Sequence, residues 1–97
     1  MLEGKVILVT GAAGGIGYQA SRVLSAHGAR LVVTDVNREG GEALLADLKT
    51  AGGDAIFQPA DLASEGDIEA LVAKAVSQFG RLDGAFNNAG VEQKNKP

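Results

Sequence analysis

The chain holds no cysteine, no tryptophan, one histidine and two prolines in 97 residues. Without cysteine, a disulfide framework is excluded and thiolate metal sites go with it. No other clustering of His, Asp and Glu has metal-ligand spacing, so no metal is expected. Aromatic residues make up 4% of the chain, namely Tyr18, Phe57, Phe79 and Phe86, which is too few for a base-stacking platform. Positive charge is also scarce: nine Lys and Arg stand against twelve Asp and Glu, giving a net charge of −3. With a pI near 5.0 there is no basic footprint for nucleic acid. No apolar run approaches the roughly 20 residues that a membrane-spanning helix needs. The few residues before the first apolar run leave no room for a secretory leader, so a cytoplasmic location is expected. What remains is a 45% apolar, 22% charged chain of globular composition, expected to form one domain over residues 1–97. Glycine is the outlier at fourteen residues, and its placement carries the reading.

Short β-branched runs alternate with longer stretches of helical period. Val6, Ile7, Leu8 and Val9 form a continuous apolar run, as in a strand buried on both faces. A glycine-rich turn follows, then a predicted helix with Ile16, Ala20, Val23 and Leu24 on one face and Gly28 as its stop. Leu31, Val32 and Val33 predict a second strand ending at Thr34 and Asp35. A second helix should carry Leu44, Leu45 and Leu48 and close at Gly52 and Gly53. Ala55, Ile56 and Phe57 suggest a third strand, ended by Pro59. Ser64 and Asp67 resemble a capping box ahead of Ile68, Leu71, Val72, Ala75, Val76 and Phe79, the cleanest amphipathic pattern in the chain. Gly80 should stop that helix, and Leu82 and Phe86 bound a fourth predicted strand. The order β-α-β-α-β-α-β with short connections predicts an α/β fold with parallel strands and right-handed crossovers.

The first turn reads Thr10-Gly11-Ala12-Ala13-Gly14-Gly15-Ile16-Gly17. Glycines between a strand and a helix permit positive φ, let a pyrophosphate reach bare backbone and let the helix pack closely on the sheet. Free amides of the new helix would then point at the phosphates. A nucleoside triphosphatase loop would need Lys-Ser or Lys-Thr after its last glycine, whereas Tyr18 and Gln19 follow Gly17. Asp35 lies twenty positions after Gly15, the usual offset of the acid that accepts hydrogen bonds from an adenosine ribose. The same carboxylate would repel a 2′-phosphate, which favours NAD over NADP, although Arg38 is placed to meet such a phosphate if the loop bends.

At this point the chain resembles the short-chain dehydrogenase/reductase family. The pattern Thr-Gly-x-x-x-Gly-x-Gly is met by Thr10, Gly11, Gly15 and Gly17, and Asn-Asn-Ala-Gly by Asn87, Asn88, Ala89 and Gly90. The acid–hydrophobic pair after the third strand is met by Asp61 and Leu62. Gly11, Gly14 and Gly17 also fit the extended, epimerase-like branch, but Asn-Asn-Ala-Gly belongs to the classical one. The resemblance implies a Rossmann-like three-layer αβα fold, here a partial parallel sheet in strand order 3-2-1-4. It implies a cofactor site that includes Gly11, Ala13 and Gly14, with the backbone of Gly15, Ile16 and Gly17 holding the pyrophosphate. Asp35 would take the ribose, Asp61 and Leu62 the adenine edge, and Asn88, Ala89 and Gly90 the region near the cofactor ribose. Thr10 and Asn87 would pin the first strand to the fourth.

The family's catalytic Ser and Tyr-x-x-x-Lys lie beyond Asn-Asn-Ala-Gly, and none occurs before Pro97. Tyr18 is no substitute, because position 22 is Arg and the residue lies on the phosphate-binding helix. His27 sits at a helix end, and Asp83 and Glu92 show no acid–base arrangement, so no catalytic residue is assigned. The expectation is therefore the cofactor-binding part of an oxidoreductase that moves a hydride between nicotinamide and a carbonyl or alcohol. These 97 residues alone should be inactive and self-associating, and the longer protein should be a homo-oligomer. The alternatives are a stand-alone nucleotide-binding module without chemistry and a structural remnant that binds nothing.

Overall fold

A computed structural model describes residues 2–60 and 65–87. The expected sites at Asp61, Leu62, Asn88, Ala89 and Gly90 lie outside the described residues, as do Ser64 of the suggested capping box and Glu92. The elements run β1 (Val6–Thr10), α1 (Gly15–Ala26), β2 (Arg30–Thr34), α2 (Arg38–Thr50), β3 (Asp54–Phe57), α3 (Glu65–Phe79) and β4 (Gly84–Asn87). The four strands form one parallel sheet in the order β3-β2-β1-β4. This is the expected Rossmann-like arrangement, and among the described residues β4 is an edge strand.

Strand periodicity divides the core. Val9, Leu31 and Val33 point to one face, where Leu44 and Leu48 of α2 are buried and Tyr18 and Leu24 of α1 are partly buried. Val6, Leu8 and Val32 point to the other, against Leu71 and Ala75 of α3. Because both faces are covered, β1 and β2 need apolar residues at successive positions, which is the continuous run seen in the sequence. The helices end where glycine can adopt left-handed backbone: Gly28, Gly52 and Gly80 have φ of 97°, 88° and 82°.

Three details differ from the expectation. In α1 the buried residues are Gly17 and Ser21, whereas Ile16 and Val23 are exposed and Ala20 and Leu24 half-buried. The helix approaches the sheet through its smallest residues: a Cβ at Gly17 would overlap the Gly11 carbonyl oxygen, and Ser21 Oγ turns back to donate to the Gly17 carbonyl at 2.8 Å. In α3 only part of the apolar arc meets the sheet, and Ile68, Val72 and Val76 are exposed. Finally, β4 begins at Gly84 rather than Leu82. Asp83 intervenes: its amide donates to the Val6 carbonyl at 2.8 Å, and its Oδ2 accepts from the Val6 amide at 2.8 Å. A side chain thus takes the place of one rung before the strand ladder begins.

Candidate functional site

The glycine turn sits at the carboxyl edge of the sheet, between the end of β1 and the start of α1. Gly11 has φ of 62°, which reverses the chain directly after Thr10. Gly14 is the N-cap of α1 in extended conformation (φ −76°, ψ 162°). Gly14 has no side chain to cap α1, and no acidic residue lies in the helix's first turn. The two flanking glycines do different work. Gly17 is pressed against the turn, as above, whereas a Cβ at Gly15 would meet nothing within 4 Å. The surface over the first helical turn is therefore bare backbone facing open space, a fit for a phosphate group. Ile16, exposed, borders it.

Asp35 follows β2 directly and is half-buried. Its Oδ2 accepts from the Ala13 amide at 2.9 Å and its Oδ1 from the Asn37 amide at 2.9 Å. Asn37 caps α2, its Oδ1 accepting from the Gly40 amide at 3.0 Å. The structure thus brings Gly11, Ala13, Gly14, Gly15, Ile16, Gly17 and Asp35 to one edge of the sheet. Beside them lies Val36, 74% exposed, which sequence reasoning did not single out. The available signal was a lone valine placed after the acid that ends a strand, inside an otherwise polar loop. Arg38 opens α2 and is exposed.

The remaining polar groups do other jobs. Thr10 Oγ1 donates to the Phe86 carbonyl at 3.4 Å, a bond from β1 to β4 whose partner is Phe86 rather than the expected Asn87. Tyr18 donates its hydroxyl to the Asp47 carboxylate across α1 and α2, and this bond raises the phenol above its ordinary value. That direction is opposite to the one an activated tyrosine needs. His27 is the exposed C-cap of α1, and its carbonyl accepts from the Leu2 amide at 2.8 Å. Among the described residues, no group of three or more His, Cys, Asp and Glu is placed to hold a metal ion, and no helix is long and apolar enough to cross a membrane. An open groove of about 870 Å³ between α1 and α2, bordered by Arg22, Asp47 and Gly53, is lined by no residue of the glycine turn.

A parallel α/β sheet with a glycine turn and a strand-end acid at its carboxyl edge defines a Rossmann-like class of protein. The comparisons narrow that class. The family model described as short chain dehydrogenase matches residues 5–97, and the chain belongs to that family. It is 47% identical over 96 residues to the 2,5-dichloro-2,5-cyclohexadiene-1,4-diol dehydrogenase of Sphingobium indicum, covering 99% of this chain and 37% of that protein. It is 48% identical over 91 residues to the momilactone A synthase of Oryza sativa subsp. japonica, covering 93% of this chain and 32% of that protein. The crystal structure of a hydroxysteroid dehydrogenase from Escherichia coli superposes with a TM-score of 0.86 at 32% identity, over 89% of this chain and 37% of the other. The chain thus spans about a third of the length of these relatives.

Proposed function

We propose that these residues are the cofactor-binding part of an NAD-preferring oxidoreductase that moves a hydride between nicotinamide and a carbonyl or alcohol substrate. The observation that carries the reading is the open, uncapped glycine turn bonded to a strand-end carboxylate. The amides of Gly15, Ile16 and Gly17 would hold the pyrophosphate, helped by the positive end of α1. Asp35 would accept from the adenosine ribose and disfavour a 2′-phosphate by charge. By the family pattern, Asp61 and Leu62 would meet the adenine, and Asn88, Ala89 and Gly90 would line the cofactor near its ribose. When bound, the dinucleotide supplies the hydride; the chain supplies binding and orientation. Within these 97 residues there is no Tyr-x-x-x-Lys pair, so they hold no acid–base group for the reaction. A cytoplasmic location and a homo-oligomeric longer protein complete the proposal.

Fluorescence titration with NADH and NADPH is the test. A charge-assisted hydrogen bond contributes about 1.5–3 kcal/mol, so NADH should bind at least about tenfold more tightly than NADPH. No NADH binding at millimolar concentration would refute the site, equal affinities would refute the role of Asp35, and carbonyl reduction by the chain alone would refute its assignment as non-catalytic.

A further inference from the structure

We propose that Asp35 is a positioning residue for the glycine turn, its carboxylate fixing the Ala13 amide before any nucleotide arrives. The proposal rests on the cofactor reading above and adds a role that does not depend on the ribose. Three successive amides of the turn are bonded, each to a different partner. The Ala12 amide donates to the Thr34 carbonyl at 3.0 Å, and the Gly14 amide donates to the Gly11 carbonyl at 3.2 Å. Between them the Ala13 amide donates out of the turn to Asp35 Oδ2.

Asp35 is itself held at both ends. Its backbone leaves β2, and its second oxygen accepts from the Asn37 amide two residues on, an Asx-turn that fixes the side-chain direction. The first turn of α2 closes the other side: a Cβ at Gly40 would lie 2.8 Å from the Ala13 Cβ. Glycine at position 40 is what lets helix and turn approach. Ala13 is thus clamped between a carboxylate and a helix whose own cap, Asn37, is bonded to the same carboxylate.

Each carboxylate oxygen has room for two donors, so bonds to Ala13 and Asn37 leave capacity for ribose hydroxyls. A glycine-rich turn without the strut would have to be ordered at the moment of binding, and that lost freedom opposes affinity. The two roles make different predictions for a ligand with phosphates and no ribose hydroxyls. A residue that only accepts from the ribose is indifferent to such a ligand. A strut is not.

The experiment compares the chain with Asp35→Ala and Asp35→Asn, using ADP and 2′,3′-dideoxy-ADP as probes. Salt at about 0.5 M screens direct repulsion between carboxylate and diphosphate. In the nucleotide-free protein, amide exchange at Ala13 should rise about tenfold in Asp35→Ala and by less in Asp35→Asn, whose one remaining side-chain oxygen can still accept from an amide, while Leu8 and Val33 keep their protection. Asp35→Ala should also bind dideoxy-ADP about tenfold more weakly than the parent chain does, with Asp35→Asn falling between the two. Weaker ADP binding with unchanged dideoxy-ADP binding and unchanged Ala13 exchange would overturn the strut and leave the cofactor reading standing. Loss of protection at Leu8 and Val33 in both variants would also overturn it, since Asp35 would then support the whole sheet. If the unaltered chain binds neither ADP nor NADH, the cofactor reading fails, and this proposal with it.

Discussion

Gly17 and Gly15 occupy neighbouring positions in the same helical turn, yet replacing each with alanine should have opposite effects. Alanine in a helix is favoured over glycine by about 0.8–1 kcal/mol, so propensity alone would make both substitutions stabilising. At Gly17 the new methyl would overlap the Gly11 carbonyl oxygen and lie 3.0 Å from the Ala12 Cα. Both obstacles are backbone, so no rotamer change relieves the overlap, and either α1 or the turn must move. Overpacking of this kind costs about 1–3 kcal/mol, occasionally more. The balance is a net loss of up to about 2 kcal/mol for Gly17→Ala. At Gly15 the methyl enters open space, so Gly15→Ala should gain a few tenths to about 1 kcal/mol in the nucleotide-free protein. The same methyl would stand where phosphate is proposed to sit, so the gain in stability should come with weaker nucleotide binding. Urea unfolding reads the first effect: with a slope of about 1 kcal/mol/M, the Gly17→Ala midpoint should fall by up to about 2 M. A Gly17→Ala chain as stable as its parent would refute the claim that glycine is required for helix–turn contact.

Two further predictions concern stability and surface. Arg81 beside Asp83, followed by the Val6 amide, holds the Asp83 carboxyl below its usual value of 3.8. A carboxyl whose folded pKa is lowered contributes stability above the unfolded pKa and loses it as pH falls through the folded one. The stability difference between the chain and Asp83→Asn should therefore be full at neutral pH and shrink below the ordinary carboxylate range; a pH-independent difference would count against the assignment. The exposed Ile68, Val72 and Val76 of α3 and the edge of β4 with Phe86, which no described strand pairs, predict self-association at tens of micromolar. Light scattering should show it weakened by Val72→Lys, and a sharply melting monomer of the unaltered chain would contradict it.

Much of this molecule can be read along the chain. Strands β1 and β2 appear as runs because a residue buried on either face of a covered sheet must be apolar. Helix ends are legible at Gly28, Gly52 and Gly80 because left-handed backbone strongly favours glycine. The position of Asp35 is a matter of counting from the glycine turn. Tertiary structure decided the rest. Which face of α1 is buried follows from how closely a helix can approach a turn, and closeness selects Gly17 and Ser21 over Ile16 and Val23. The start of β4 depends on Asp83 reaching the Val6 amide, a contact between residues 77 positions apart. The bond from Asp35 to Ala13 spans 22 positions and exists only because parallel pairing sets the ends of β1 and β2 side by side. A hydrophobic pattern reports what each side chain prefers as a solvent. It carries no record of which backbone will come near enough to make glycine, or a carboxylate, necessary.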